Sequence, residues 1–349
     1  MATSSPRGSR PKLADVAAAA GVSRTTASRA LAGGPNVSEG ARTRVWEAAE
    51  RLRFQPDHLA RSLRRGSTMG IGIVVPDVAI AFYASALKGA QETLEAHGYH
   101  VLVVNTELDS ERERAAVRTL RAHRVDGLIV ATSGGYEDIG VPAVFFDNCP
   151  TGPGEIVVAM ENAAGIALLV DHLATIHGHE RVAYIGPPDA GASGLPFVHL
   201  SGRERLDGFR AAVGRACLPL PPEYVRTGDA ALRTEATWAA VIELMGLERP
   251  PTAIVAGADT VALDTLRTLR ELGRRVPEDV ALVCFDEPPY ADLLDPPVTS
   301  LDRHDAELGR LAADRLVGVL TGGEELPADG AVQRVPLHLR RRRSCGCEG

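Results

Sequence analysis

Short, continuously apolar runs alternate with amphipathic segments through most of this chain, and the alternation runs twice. Residues 69–76, 99–105, 127–131 and 143–147 are mostly apolar and only strand-long, whereas 84–97 and 112–123 carry apolar residues at helical spacing. The pattern restarts near Gly165. Helices are predicted over 166–176, 203–214, 235–245 and 261–272, with strands over 181–186, near Tyr224, over 253–256 and over 280–286. Apolar strands separated by helices imply parallel sheets covered on both faces. Two such doubly wound lobes leave a cleft between them, and open α/β sheets bind ligands beyond the carboxyl ends of their strands. Asp147 and Asp286 stand at such ends, and Asp259 stands three residues past one. Each either caps its loop or meets a ligand.

The first 68 residues are of another kind. They hold twelve Lys/Arg and five Asp/Glu, a net of +7, while the whole chain carries −7. The rest is therefore at −14, and a basic head on an acidic body predicts a polyanion partner for the head alone. Residues 13–20 are rich in alanine and form helix readily. Gly21 breaks the helix, Ser23 suits the N-cap of the next, and residues 24–31 follow before Gly33-Gly34-Pro35. Two short helices joined by a glycine turn make a helix-turn-helix. Val16, Ala17, Ala20, Val22, Ala27 and Leu31 supply its core. Arg24, Thr25, Ser28 and Arg29 face outward, where such motifs reach base edges. A third helix begins at Ser38, with Trp46 expected among its packing residues.

The head resembles that of the LacI/GalR family of bacterial regulators. The resemblance rests on 12-KLADVA-17, 20-AGVS-23, 26-TASRAL-31 and Val37-Ser38. It implies base reading by Arg24, Thr25 and Arg29, and backbone or phosphate contacts from Lys12, Ser23, Thr26, Ser28, Asn36 and Ser38. It further implies a hinge helix over 56–66. Leu63 there would wedge into the minor groove beside Ala60, once two copies meet on DNA. Lys12, Ala27 and Asp57 depart from the family's usual Thr, Val and Asn.

The body resembles the same family along nearly its whole length, at 124-RVDGLI-129, 205-RLDGF-209, 276-VPEDV-280 and 296-PPVTS-300. The implied body is like periplasmic sugar-binding proteins. Its implied effector contacts are Phe82 or Tyr83 for stacking, with Asp147, Arg205, Asp259 and Asp286 as the polar groups. Carboxylates with an arginine suit a polyhydroxylated, sugar-like ligand. Ala258 replaces the family's usual Asn and removes a donor from that pocket. The expected organisation is a disordered arm over 1–11, the helix-turn-helix over 12–55, the hinge over 56–66, an effector-binding and dimerisation domain over 67–342, and a tail over 343–349. Within the body, the N-lobe would take 67–160 and 303–324, and the C-lobe 161–302 and 325–342.

The function that follows is a cytoplasmic, homodimeric transcription regulator, by family habit a repressor, with a double-stranded operator and a sugar-like effector as partners. No cofactor, metal or membrane partner is expected. The body alone also fits the solute-binding component of a transport system, but the N-terminus lacks an apolar signal region and the head is basic. An enzyme is not expected: no phosphate loop, G-x-S-x-G or H-E-x-x-H motif occurs. His172, His177 and His179 have metal-like spacing, which a helix end at Gly178 accounts for. Cys345 and Cys347 form a pair in an Arg-rich segment read as a frayed tail, since two thiols do not close a zinc site. Scattered cysteines otherwise fit a reducing compartment.

Overall fold

A computed structural model describes residues 11–31, 34–54, 67–107, 109–132, 139–147, 153–187, 200–227, 234–288 and 290–348. The chain divides into a head up to Thr68 and a body from Met69. The hinge segment over 56–66, with Ala60 and Leu63, lies outside the described residues, as does most of the predicted arm.

The head holds α1 (Leu13–Ala20), α2 (Arg24–Leu31) and α3 (Glu39–Arg51). Gly21 ends α1 at φ 65°, a left-handed conformation that glycine adopts without steric cost. The Gly21 and Val22 amides then bond back to the Ala18 and Ala17 carbonyls at 3.2 and 3.0 Å. Val16, Ala17, Ala20, Ala27, Ala30 and Leu31 pack with Val45, Ala48 and Ala49 of α3 into one small core. Trp46 departs from expectation, for its side chain is 53% exposed. Val45, Ala48 and Ala49 already occupy the inward stripe of α3, and Trp46 falls one step round the helix, about 100° from Val45.

Two six-stranded sheets form the body. In the N-lobe, β1 (Gly70–Val75), β2 (His100–Asn105), β3 (Gly127–Val130), β4 (Ala143–Phe146), β5 (Ile156–Met160) and β11 (Ala331–Val335) run in the order β11-β5-β4-β3-β1-β2, all parallel. In the C-lobe, β6 (Val182–Gly186), β7 (Val225–Thr227), β8 (Ala253–Ala256), β9 (Ala281–Cys284), β10 (Thr299–Asp302) and β12 (His338–Arg340) run β12-β10-β9-β8-β6-β7. Only β12 there is antiparallel to its neighbour.

The N-lobe helices are α4 (Ala81–Ala96), α5 (Ser110–Ala122) and α10 (Asp305–Leu320). Those of the C-lobe are α6 (Asn162–Asp171), α7 (Leu200–Arg215), α8 (Thr234–Met245) and α9 (Asp259–Glu271). Glycines set the closest approach in the N-lobe. A Cβ on Gly89 of α4 would lie 2.0 Å from the Ala306 carbonyl oxygen, and one on Gly309 of α10 would lie 1.8 Å from that of Ala86. The chain passes between lobes after β5, after β10 and after β11.

Three features differ from the sequence reading. The chain returns to the C-lobe at 336–337 rather than at 325, because β11 pairs with β5 in register from Ala331↔Ile156 to Val335↔Met160. Edge strand β2 is not covered on both faces: Leu102 and Val103 are 43% and 42% exposed. The terminal segment is no frayed tail, since Arg343–Cys345 forms a 3-10 turn with Ser344 and Cys345 buried. Ser344 Oγ receives the Thr299 amide at 2.8 Å and donates to the Leu282 carbonyl at 2.6 Å, which ties the segment beneath the C-lobe sheet. Among the described residues, no helix is long and apolar enough to cross a membrane.

Candidate functional site

The residues expected to read bases lie at the N-terminus of α2. Ser23 Oγ accepts the Thr26 amide at 3.0 Å and lies 2.8 Å from Thr26 Oγ1, so both hydroxyls serve the helix start. Beyond that cap, Arg24, Thr25 and Arg29 are exposed, and Ser28 is half-buried at their rear. Buried Ala27, Ala30 and Leu31 fix which side of α2 faces the core, so the three exposed residues share the outer side. Lys12 is exposed, and its amide donates to Asp15 Oδ2 at 2.7 Å. Asn36, at φ 63°, and Ser38, just before α3, are exposed as well. Sequence reasoning missed two arginines that stitch this face together. Arg42 donates to the Gly34 carbonyl at 3.0 Å and Arg44 to the Ala20 carbonyl at 3.3 Å. Both serve carbonyls at or just past helix C-termini, which lack partners of their own.

Within the body, the predicted effector residues converge where the strands of both sheets end. Arg205 of α7 is only 7% exposed. Its Nε donates to Asn162 Oδ1 at 3.1 Å, its Nη1 donates to the Gly257 carbonyl at 2.7 Å, and the guanidinium stacks 3.8 Å over the Phe285 ring. The same Nη1 stands 3.5 Å from Asp286 Oδ1. Asp286 also accepts a hydrogen bond from Arg303, a residue the sequence reading did not single out. Arg303 follows β10, at the passage into the N-lobe. Its Nε donates to Asp305 Oδ1 at 2.9 Å, and its guanidinium lies 4.4 Å from the Phe82 ring centroid. One side chain thus holds a C-lobe carboxylate and an N-lobe aromatic together.

The N-lobe wall is aromatic. Phe82 and Tyr83 lie 4.8 Å apart between ring centroids, and both pack against Phe146 at 6.4 and 6.2 Å. Tyr83 Oη donates to Asp147 Oδ2 at 3.2 Å. Asp147 sits at φ 65°, an uncommon conformation for a side-chain-bearing residue, immediately after β4. Phe82 and Tyr83 are both buried and belong to the same aromatic cluster.

Charge is concentrated between the lobes at a cost. Burial pushes the Asp147 carboxyl above its usual range, and Arg205 and Arg303 offset part of that. Burial, then the charge of Asp286, pushes Asp259 up in the same direction. Burial likewise raises the Tyr83 phenol well above its ordinary value, with Asp147 adding to it. Asp259 opens α9, and its Oδ1 accepts the Thr260 amide at 2.7 Å. It therefore sits in the first turn of α9, within reach of the charge of Asp286. Tyr184 brings a buried hydroxyl with no hydrogen-bond partner among the described residues; the hydroxyl lies where a Cβ on Gly186 or Gly257 would stand. Such a set can donate to and accept from a ligand's hydroxyls while an aromatic wall covers its apolar face.

His172 and His177, but not His179, come together with Cys345 and Cys347 at the far end of α6. His179 bonds instead to Thr252 Oγ1 at 3.0 Å.

Comparison with known proteins agrees with both parts. Residues 12–57 match the lacI family of bacterial regulatory proteins, and residues 170–345 match the periplasmic binding protein-like domain. The ribose operon repressor of Escherichia coli (strain K12) is 31% identical over 316 residues, covering 88% of this chain and 92% of its own. The HTH-type transcriptional repressor CytR of the same strain is 29% identical over 320 residues, covering 88% and 89%. The lac repressor dimer bound to operator and the anti-inducer ONPF superimposes with a TM-score of 0.82 at 25% identity, over 97% of this chain and 99% of that one. A basic helix-turn-helix, a two-lobed periplasmic-binding-protein-like body and relatives of nearly equal length leave one conclusion: the chain belongs to the lacI family of bacterial regulatory proteins and is a DNA-binding transcription regulator rather than an enzyme.

Proposed function

We propose that this regulator acts in the cytoplasm as a homodimeric repressor. It binds a near-palindromic operator and responds to a sugar-like effector held between the lobes of its body. The observation that carries the effector reading is Arg303, which bridges Asp286 of the C-lobe and Phe82 of the N-lobe. A ligand hydroxyl that engages Asp286 or displaces Arg303 changes what holds the lobes together, so occupancy and lobe geometry are one event. Solved relatives support the ligand class, since one is described as a transcriptional regulator CelR–cellobiose complex. Ala258 offers no side-chain donor, so the effector would be one recognised chiefly by Asp147, Arg205, Asp259 and Asp286.

The operator reading rests on exposed Arg24, Thr25 and Arg29 as base readers; Lys12, Ser28, Asn36 and Ser38 would meet phosphates, and the family resemblance assigns Ala60 and Leu63, which lie outside the described residues, to the central step. Exposed Leu102 and Val103 on edge strand β2 support a dimer, because an uncovered apolar strand edge invites pairing with another chain. Selection from a random duplex pool by the purified full-length protein tests the whole reading. Enrichment of a two-fold motif with a flexible central step is expected. Enrichment of a single half-site would refute the dimer, and no enrichment with or without candidate sugars would refute the operator reading.

A further inference from the structure

The cluster at the end of α6 has the composition and dimensions of a metal site. His172 Nε2 and His177 Nε2 are 3.3 Å apart. His172 Nε2 lies 3.3 Å from Cys345 Sγ and 3.5 Å from Cys347 Sγ, and His177 Nε2 lies 3.4 Å from Cys347 Sγ. All four ligand atoms fall within 4.8 Å of one another. A tetrahedron with Zn–N near 2.0–2.1 Å and Zn–S near 2.3 Å has edges of about 3.3–3.4 Å between nitrogens and about 3.5 Å between nitrogen and sulfur. Four of the six separations match those edges, and the remaining two, no longer than 4.8 Å, need at most a modest closure of the side chains.

Two local devices make the match. On a regular α-helix, residues five apart diverge by about 140°, so His172 and His177 would face different sides. Here α6 passes into a π-helical turn over His172–Ile176, whose i→i+5 pattern brings such residues together. π-turns are rare and often mark functional sites. At the other end of the chain, Gly346 adopts φ +98° and turns Cys345 and Cys347 toward the same point. A Cβ on Gly346 would press on the His177 ring at 3.3 Å from Nδ1, so glycine also lets the backbone reach the histidine. His172 and Cys345 are buried, and His177 and Cys347 are half-buried, which leaves one open side for an ion to enter.

We infer that His172, His177, Cys345 and Cys347 form a structural zinc site that clasps the C-terminal segment to α6. Four protein ligands close the coordination sphere, which is the arrangement of structural rather than catalytic zinc, and the mixed imidazole–thiolate set favours zinc over hard cations. Thr299 Oγ1, 3.0 Å from Cys345 Sγ, is placed to donate to a bound thiolate.

The test uses full-length protein prepared without chelators or a nickel column. Metal content by mass spectrometry should give one zinc per protomer, and exchange for cobalt(II) should give the intense visible bands of a tetrahedral thiolate complex. Cys347→Ser and, separately, His177→Gln change half-buried positions and should each lose most of the zinc while circular dichroism and DNA binding persist. Chelation should lower the Tm of the parent protein and leave that of Cys347→Ser unmoved. The inference is overturned if the chain, supplied with zinc under reducing conditions, binds none. It is equally overturned if cobalt gives a weak six-coordinate spectrum, or if both variants hold zinc as the parent does.

Discussion

Replacing Gly309 by alanine should destabilise the body, although alanine is the better helix former. The added Cβ would stand 1.8 Å from the Ala86 carbonyl oxygen, about 1.2 Å inside the shortest contact a real Cβ makes. Backbone lies on both sides of the contact, so no side chain can rotate away, and α4 and α10 must separate. Overpacking of this kind costs roughly 1–3 kcal/mol or more, against a propensity gain of about 1 kcal/mol. The net expectation is a loss of about 1–2 kcal/mol for Gly309→Ala and slightly less for Gly89→Ala, whose Cβ would stand 2.0 Å from the Ala306 oxygen. The two clashes lie on one helix pair, so a displacement that relieves one relieves part of the other. The double variant should therefore lose less than the sum, with a coupling of about 0.5 kcal/mol or more. Urea unfolding of the four proteins, followed by circular dichroism, gives the cycle. Helix α4 begins with Phe82 and Tyr83, and α10 follows Arg303, so any separation also shifts the cleft. Single variants as stable as the parent, or strictly additive losses, would refute the argument from close approach.

Other expectations bear on the two sites. Arg29→Ala should cost about 1–3 kcal/mol of binding to the selected operator and relax preference at one base pair per half-site, whereas Lys12→Ala should weaken all sequences alike, as a salt titration of each will separate. Asp286→Ala leaves the guanidinia of Arg205 and Arg303 buried without their shared carboxylate, and should cost about 3–5 kcal/mol in denaturant unfolding. Asp259 is held above its ordinary 3.8 by burial, then by Asp286. A carboxyl raised in the folded state contributes stability that is fully present below 3.8 and is lost as pH rises through the folded value. The urea midpoint of the parent should thus fall across that window more steeply than that of Asp259→Asn; parallel curves would contradict the assignment.

What the sequence determined by itself was local. Gly21 and Ser23 mark a helix end and a helix start through their own backbone and side-chain preferences, and the structure puts both there. Strand-length apolar runs separated by amphipathic helices dictate two parallel sheets, and Asp147 and Asp286 could be placed at strand ends by counting. Periodicity is a property of neighbours in the chain, so it reaches no further than the element it describes. Tertiary structure decided what depends on residues far apart. Arg303 joined the cleft because β10 carries the chain across the lobes there, and nothing in its own neighbourhood marks it. The segment 331–335 went to the N-lobe sheet because β5 offered a free parallel edge. Trp46 faced outward because Val45, Ala48 and Ala49 had already filled the small core of the head. Most of all, His172 and Cys345, 173 residues apart, meet at 3.3 Å. A π-helical turn and a glycine at positive φ aim them, and both are backbone conformations that packing selects and no side-chain pattern announces.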